Sequence, residues 1–385
     1  MNNINSIPTD LNKLQFQTID WLRFTFTLLV FYIHMNPFHY EQYIKMSNIT
    51  WGNGLNWEEV YSVLVTFVTV LASIAVPSFF MFSGYLFYKK FDKWDKALYF
   101  GNLKSRIRTL FIPYILWNTI AALAGIAKAI MKHESPLAYL LNIWNNGILH
   151  IYWDSVTWAE DYVNLFGWSL QGWGPASIAY WFVRDLMVMC LLSPLLFLCI
   201  RYLKIYFILI LGAAYIFKIW TIFPGFSIDA FFFFSTGAFL SINKKNMIEE
   251  FSKIKYVIYT MSLIFLIATI GVKDTIYEVI IEPLFIIPGV FSAFLLAAIL
   301  LQKKTIKVNI FLTKASFFLY SSHAILLLSL SREICNKALG TDHTLSIIIS
   351  YLISPLLCLI ICISLFLLLK KLAPAFLNLL TGNRN

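Results

Sequence analysis

The chain has 385 residues, of which 59% are hydrophobic and only 13% charged, with a mean hydropathy of +0.72. That balance excludes an ordinary soluble domain and leaves room for many membrane spans of about 20 residues each. A formal net charge of +10 invites a nucleic-acid partner, but the basic residues are sorted along the chain as a topology signal, so none is expected.

Apolar runs predict an all-α polytopic membrane protein with ten spans, roughly 18–38, 60–88, 107–131, 178–201, 204–220, 226–242, 255–272, 281–301, 311–332 and 344–370. Residues 1–17 read as a polar cytoplasmic tail with no removable signal peptide, 18–372 as one transmembrane domain, and 373–385 as a second cytoplasmic tail. Of the 30 Lys and Arg residues, 21 fall in the termini and even-numbered connections and seven in the odd-numbered ones. This asymmetry places both termini in the cytoplasm. Five cysteines, Cys190, Cys199, Cys335, Cys358 and Cys362, lie in or beside apolar spans without a CxxC pair. They read as small apolar residues, and no metal is expected.

The first span carries Asp20, Arg23 and His34. Arg23 and His34 are almost three helical turns apart, on one face and about 16 Å along the axis. Ionisable groups in lipid are costly unless a function or a partner requires them; the alternative is that Arg23 marks the helix entry and His34 reaches the far interface. The second span ends PSFFMFSGYLF, where Ser83 and Gly84 suit close helix packing. A short basic loop, 89–106, leads into SRIRTLFIPY, so Arg106 and Arg108 flank the face where a phosphorylated donor would arrive; ordinary positive-inside charge explains them equally.

The connection 132–177 is long, external and aromatic, with Trp144, Tyr152, Trp153, Trp158, Tyr162, Trp168 and Trp173. Part of it is expected to lie at the interface or re-enter the bilayer, as an aromatic belt or as a stacking platform for sugar rings. The fourth span opens YWFVRDL. Arg184 and Asp185 are adjacent and do not share a helix face, so each is expected to need another partner. Asp229, Glu278 and Glu282 read as solvated helix-end charges. In the ninth span Ser316, Tyr320 and His323 fall on one face, with His323 at a depth similar to that of His34. The two imidazoles are therefore expected to face one cavity.

Together these residues resemble the membrane acyltransferase 3 family, ten-span enzymes that acylate carbohydrates and other acceptors at the cell surface. The resemblance covers nearly the whole chain. Its strongest motif is D-x-x-R-x10-H, met by Asp20, Arg23 and His34, with F-x-x-S-G-[FY]-L from Phe80 to Leu86, W-[FY]-x-R from Trp181 to Arg184, the basic run into Pro113-Tyr114, and S-x-x-x-Y-x-x-H from Ser316 to His323. The family's paired R-x-x-R stands here as R-x-R at 106–108, with Ser105 near the place of the first arginine. No hydrolase-like external domain is expected after span ten, so an acceptor would meet the membrane domain itself or a partner.

The resemblance implies a bacterial inner-membrane enzyme, acyl-CoA (most simply acetyl-CoA) as donor, and His34 as the essential residue. His34 could act as base or as nucleophile near neutral pH. Arg23 joins it in the catalytic set and, with Arg106, Arg108 and Ser83, is expected to hold the donor's pyrophosphate or pantetheine arm. Tyr320, His323, Arg184, Trp181 and Trp173 are expected to meet the carbohydrate or lipid-linked glycan acceptor, around a polar tunnel joining the two faces. The other partners expected are membrane lipids and, optionally, a second copy of the chain. A transporter or flippase of a lipid-linked sugar would use similar intramembrane charges, and a binding-only sensor is a third reading.

Overall fold

The computed structural model describes residues 9–35, 43–49, 54, 56–91, 93–133, 135–163, 169–220 and 223–384, and all structural statements concern these. Helix α1 (Thr9–Met35) begins well before the first apolar run. Its polar opening turns are docked rather than free: Gln15 is fully buried, and its Oε1 accepts the Met247 N–H at 2.6 Å. Farther along, Thr18 and Thr27 return their hydroxyls to the i−4 carbonyls at 2.8 Å, which hides them from lipid.

Helix α2 (Trp57–Ala72) opens on an Asn56/Glu59 capping box and leads through a short break into α3 (Ala75–Tyr88). The basic helix α4 (Lys96–Arg106) continues through a π-helical turn, Ile107–Phe111, into α5 (Ile112–Met131). The long connection that follows is partly extended. It holds α6 (Pro136–Asn146), α7 (His150–Trp153) and an antiparallel hairpin of β1 (Val156–Val163) with β2 (Ser169–Gly174). The all-α expectation holds for the bundle, to which this connection adds one two-stranded hairpin.

The second half runs α8 (Trp181–Leu203), α9 (Ile205–Ile216), α10 (Ile228–Ile242), α11 (Met247–Ser252), α12 (Lys255–Val272) and α13 (Glu278–Gln302). It ends with α14 (Ile310–Ser322), α15 (Leu327–Leu339), α16 (Thr344–Leu372) and α17 (Pro374–Thr381). Six helical stretches are long and apolar enough to cross a membrane, and α14 with α15, bent by 67°, would make a seventh. Helices α9 and α10 are apolar but short. Helix α1 falls outside the set because Asp20, Arg23 and His34 interrupt its apolar run. Multiple apolar helices of this kind mark a membrane protein.

Two close contacts organise the bundle. Gly84 on α3 and Gly237 on α10 let the backbones touch: a Cβ at Gly84 would collide with the Phe234 carbonyl, and one at Gly237 with that of Met81. Within the expected tail 373–385, Pro374–Thr381 form α17, which docks on α5, α14 and α16. Leu377, Leu380 and Thr381 are buried there, and the Trp117 indole donates to Leu380 O at 3.0 Å.

Candidate active site

Helix α1 packs along α14, and the Thr313 hydroxyl reaches the Asp20 carbonyl at 3.3 Å. This pairing brings His34 to His323, with ring centroids 5.2 Å apart and planes tilted by 48°. Phe31, one turn before His34, stacks on His323 at 4.5 Å and 13°. The α-helix ends at Ser322, and His323 starts a short 3-10 turn, His323–Ile325. That break leaves the Tyr320 carbonyl free to meet His323 Nδ1 at 2.6 Å. A carbonyl only accepts, so Nδ1 carries the proton and the neutral ring keeps Nε2 bare. Nε2 is buried and has no hydrogen-bond partner. Among the described residues His34 has none either.

A cavity of about 330 Å³ lies toward the end of the bundle that carries α4. Its polar lining is Arg23 and Thr27 from α1, Ser83 from α3, Arg106 from α4, Thr313, Ser316 and Tyr320 from α14, and Arg384 from beyond α17. Phe79, Phe82, Leu86, Leu110, Phe182, Val183, Leu186 and Phe317 complete the wall. Arg23 pairs with Asp20 at 2.9 Å. Ser83 faces the cavity while its neighbour Gly84 faces α10, about 100° round the helix.

The expected shared cavity is thus only half present. His34 and His323 meet each other, but neither lines this cavity; Tyr320 does, with its ring 5.9 Å from that of His323. The Tyr320 hydroxyl donates to the Ala179 carbonyl, which leaves only its lone pairs for a ligand. Of the loop arginines, Arg106 lines the cavity, whereas Arg108 is exposed and outside the lining.

Arg184, expected at the acceptor, is instead consumed within the protein. It is 3% exposed, with Nε 2.9 Å from Asp185 Oδ1 and Nη1 donating to Trp153 O at 2.5 Å. Asp185 in turn accepts the Ser227 N–H at 3.2 Å, at the N-cap of α10. The two neighbours do pair, because the long arginine arm folds back across the helix face. Trp181 packs on Phe80 with centroids 6.1 Å apart, outside the cavity lining. The side chain of Trp173 lies outside the described residues. Glu278, expected as a solvated end charge, closes on Lys273.

Three polar cavity residues, Thr27, Thr313 and Arg384, were not anticipated. Thr27 lies one turn beyond Arg23, so helical spacing from that arginine would have found it. Arg384 left no sequence signal, being a single cation in what read as a cytoplasmic tail.

With the geometry in hand, comparison with known proteins is decisive at the family level. The acyltransferase 3 family, described as an acyltransferase domain, matches residues 16–377. The chain belongs to that family. The succinoglycan biosynthesis protein ExoH of Rhizobium meliloti (strain 1021) is 28% identical over 149 residues, which is 37% of this chain. The match spans 35% of that protein's length, about a third. No solved structure matches.

Proposed function

We propose that the chain is a membrane O-acyltransferase that moves an acyl group, most simply acetyl, from cytoplasmic acyl-CoA to a hydroxyl of a cell-surface or lipid-linked carbohydrate. The observation that carries the reading is the succession along α1 and α14: a cavity bearing guanidinium groups, then Tyr320, then the His34–His323 pair. Membership of the acyltransferase 3 family supports acyl transfer. The similarity to a protein of succinoglycan biosynthesis supports a polysaccharide-related acceptor.

In this reading Arg23 and Arg106 hold the phosphates of the donor, and the thioester arm extends past Tyr320 toward the imidazoles. His34 takes the proton from the acceptor hydroxyl as the oxygen attacks the thioester carbonyl. The C–O bond forms, the C–S bond breaks, and the proton passes from His34 to the departing thiolate. A positioned base of this kind contributes about 10²–10⁴-fold to the rate. His323, with Nδ1 fixed on Tyr320 O, offers its bare Nε2 to the same proton.

The test is thioester turnover by the purified protein. With acetyl-CoA and a polysaccharide acceptor it should release free CoA and acetylate the glycan, read by thiol titration and mass spectrometry. Translocation of a lipid-linked sugar without CoA release would replace this reading with that of a flippase.

A further inference from the structure

We propose that Arg384 is a ligand-binding residue of the cavity, the third guanidinium of a site for a diphosphate-bearing ligand. The assignment rests on the donor reading above only where it names that ligand as acyl-CoA.

Arg384 reaches the cavity through a dedicated turn. Helix α17 ends at Gly382, whose φ of +64° is left-handed. A Cβ there would come within 2.6 Å of Thr109 Cα and 2.8 Å of Thr109 O. Only glycine satisfies both the dihedral and the approach. Asn383 then continues in the left-handed region, with its N–H on Asn378 O at 2.9 Å. The turn is therefore seated against the π-helical turn that follows Arg106, and it directs the next side chain inward. Arg384 Nη2 donates to Thr109 O at 2.9 Å, and its Cζ stands 4.0 Å above the Phe317 ring.

Charge supplies the second, independent observation. Arg23, Arg106 and Arg384 all line one cavity and are close enough to interact electrostatically. Asp20 balances Arg23. Arg106 approaches the Phe87 ring and the Cys190 sulfur. Among the described residues neither Arg106 nor Arg384 pairs with a carboxylate. Two cations thus remain without a carboxylate partner in one partly open cavity, where they repel each other. An anion carrying about two charges removes that cost. A guanidinium has five N–H groups, and the Thr109 carbonyl occupies one of those on Arg384, so a fork remains for phosphate oxygens.

The experiment titrates the full chain, purified in detergent free of phospholipid, with CoA, inorganic pyrophosphate and S-acetylpantetheine, which lacks phosphate. Arg384→Gln should weaken CoA and pyrophosphate binding tenfold or more and leave S-acetylpantetheine unchanged; Arg384→Lys should weaken them less. Gly382→Ala, with Arg384 intact, should shift both phosphate ligands in the same direction. It also serves as the test if Arg384→Gln does not fold. The proposal is overturned if the wild type binds neither phosphate ligand, or if the variants bind both as the wild type does. Arg384-dependent binding of pyrophosphate without binding of CoA would keep the assignment and reject the acyl-CoA donor. If phosphatidylglycerol vesicles then displace pyrophosphate from the wild type, the phosphate belongs to a lipid headgroup.

Discussion

His323 is oriented by a single backbone carbonyl. Its Nδ1 is committed to Tyr320 O at 2.6 Å and its Nε2 is left without a partner, while among the described residues no hydrogen bond holds His34. Positioning therefore falls to His323 and freedom to act to His34. His34→Ala should lower transfer by about 10²–10⁴-fold in a protein that still inserts and folds. His323→Ala should cost less, and wild-type turnover by His34→Ala would reject the assigned base. Arg184 makes the opposite case. It is a buried cation with a buried anion, and removing one partner of such a pair typically costs about 3–5 kcal/mol. Arg184→Ala should lower the unfolding temperature while leaving the glycan KM of the folded fraction alone; a raised KM at unchanged stability would return Arg184 to the acceptor site. That His34 and His323 meet was legible from residue counting, which gave them a similar depth. The Arg184–Asp185 pair was not, because spacing rules treat side chains as short stubs, whereas a guanidinium on its arm can fold back onto its own neighbour.

The α14–α15 break is the most informative element. Leu326 sits at φ 149°, a region that side chains rarely adopt, and it is 45% exposed. Such a residue stores about 1–3 kcal/mol that the surroundings must hold. Leu326→Gly removes little packing and should raise the unfolding temperature, by the equivalent of about 1 kcal/mol. A lowered temperature, measured by thermal scanning, would mean that the leucine side chain is needed against its neighbours. Sequence spacing placed Ser316, Tyr320 and His323 on one helical face, and the apolar run gave no hint that the helix stops at Ser322. Similarly, α17 reads as a tail because nothing local demands its docking. What holds it is the fit of Leu377 and Leu380 into a groove assembled from α5, α14 and α16, which exists only once those distant segments have met. The apolar helices themselves were legible, since hydropathy reports burial in lipid directly.

For the whole molecule, charge asymmetry makes an accessibility prediction. In a variant cleared of its own cysteines, new ones at Asn48 and Asp161 should react with an impermeant thiol reagent in intact cells, and one at Asn102 should not. Labelling at Asn102 alone would invert the orientation. The cavity is also walled unequally. Where Gly84 and Gly237 bring two backbones into touch, no intervening side chains exist to rearrange, so α3 and α10 behave as one beam. Phe79, Phe82, Ser83 and Leu86 are mounted on that beam and form a fixed jaw. The facing jaw is α14, already bent at its far end, together with the turn that carries Arg384. Spin labels on α3 and α10 should keep their separation when the cavity is loaded, and the α3–α14 distance should widen. A long, thin ligand would then be threaded by the flexing of one jaw alone, as a vice closes on work held against its anvil.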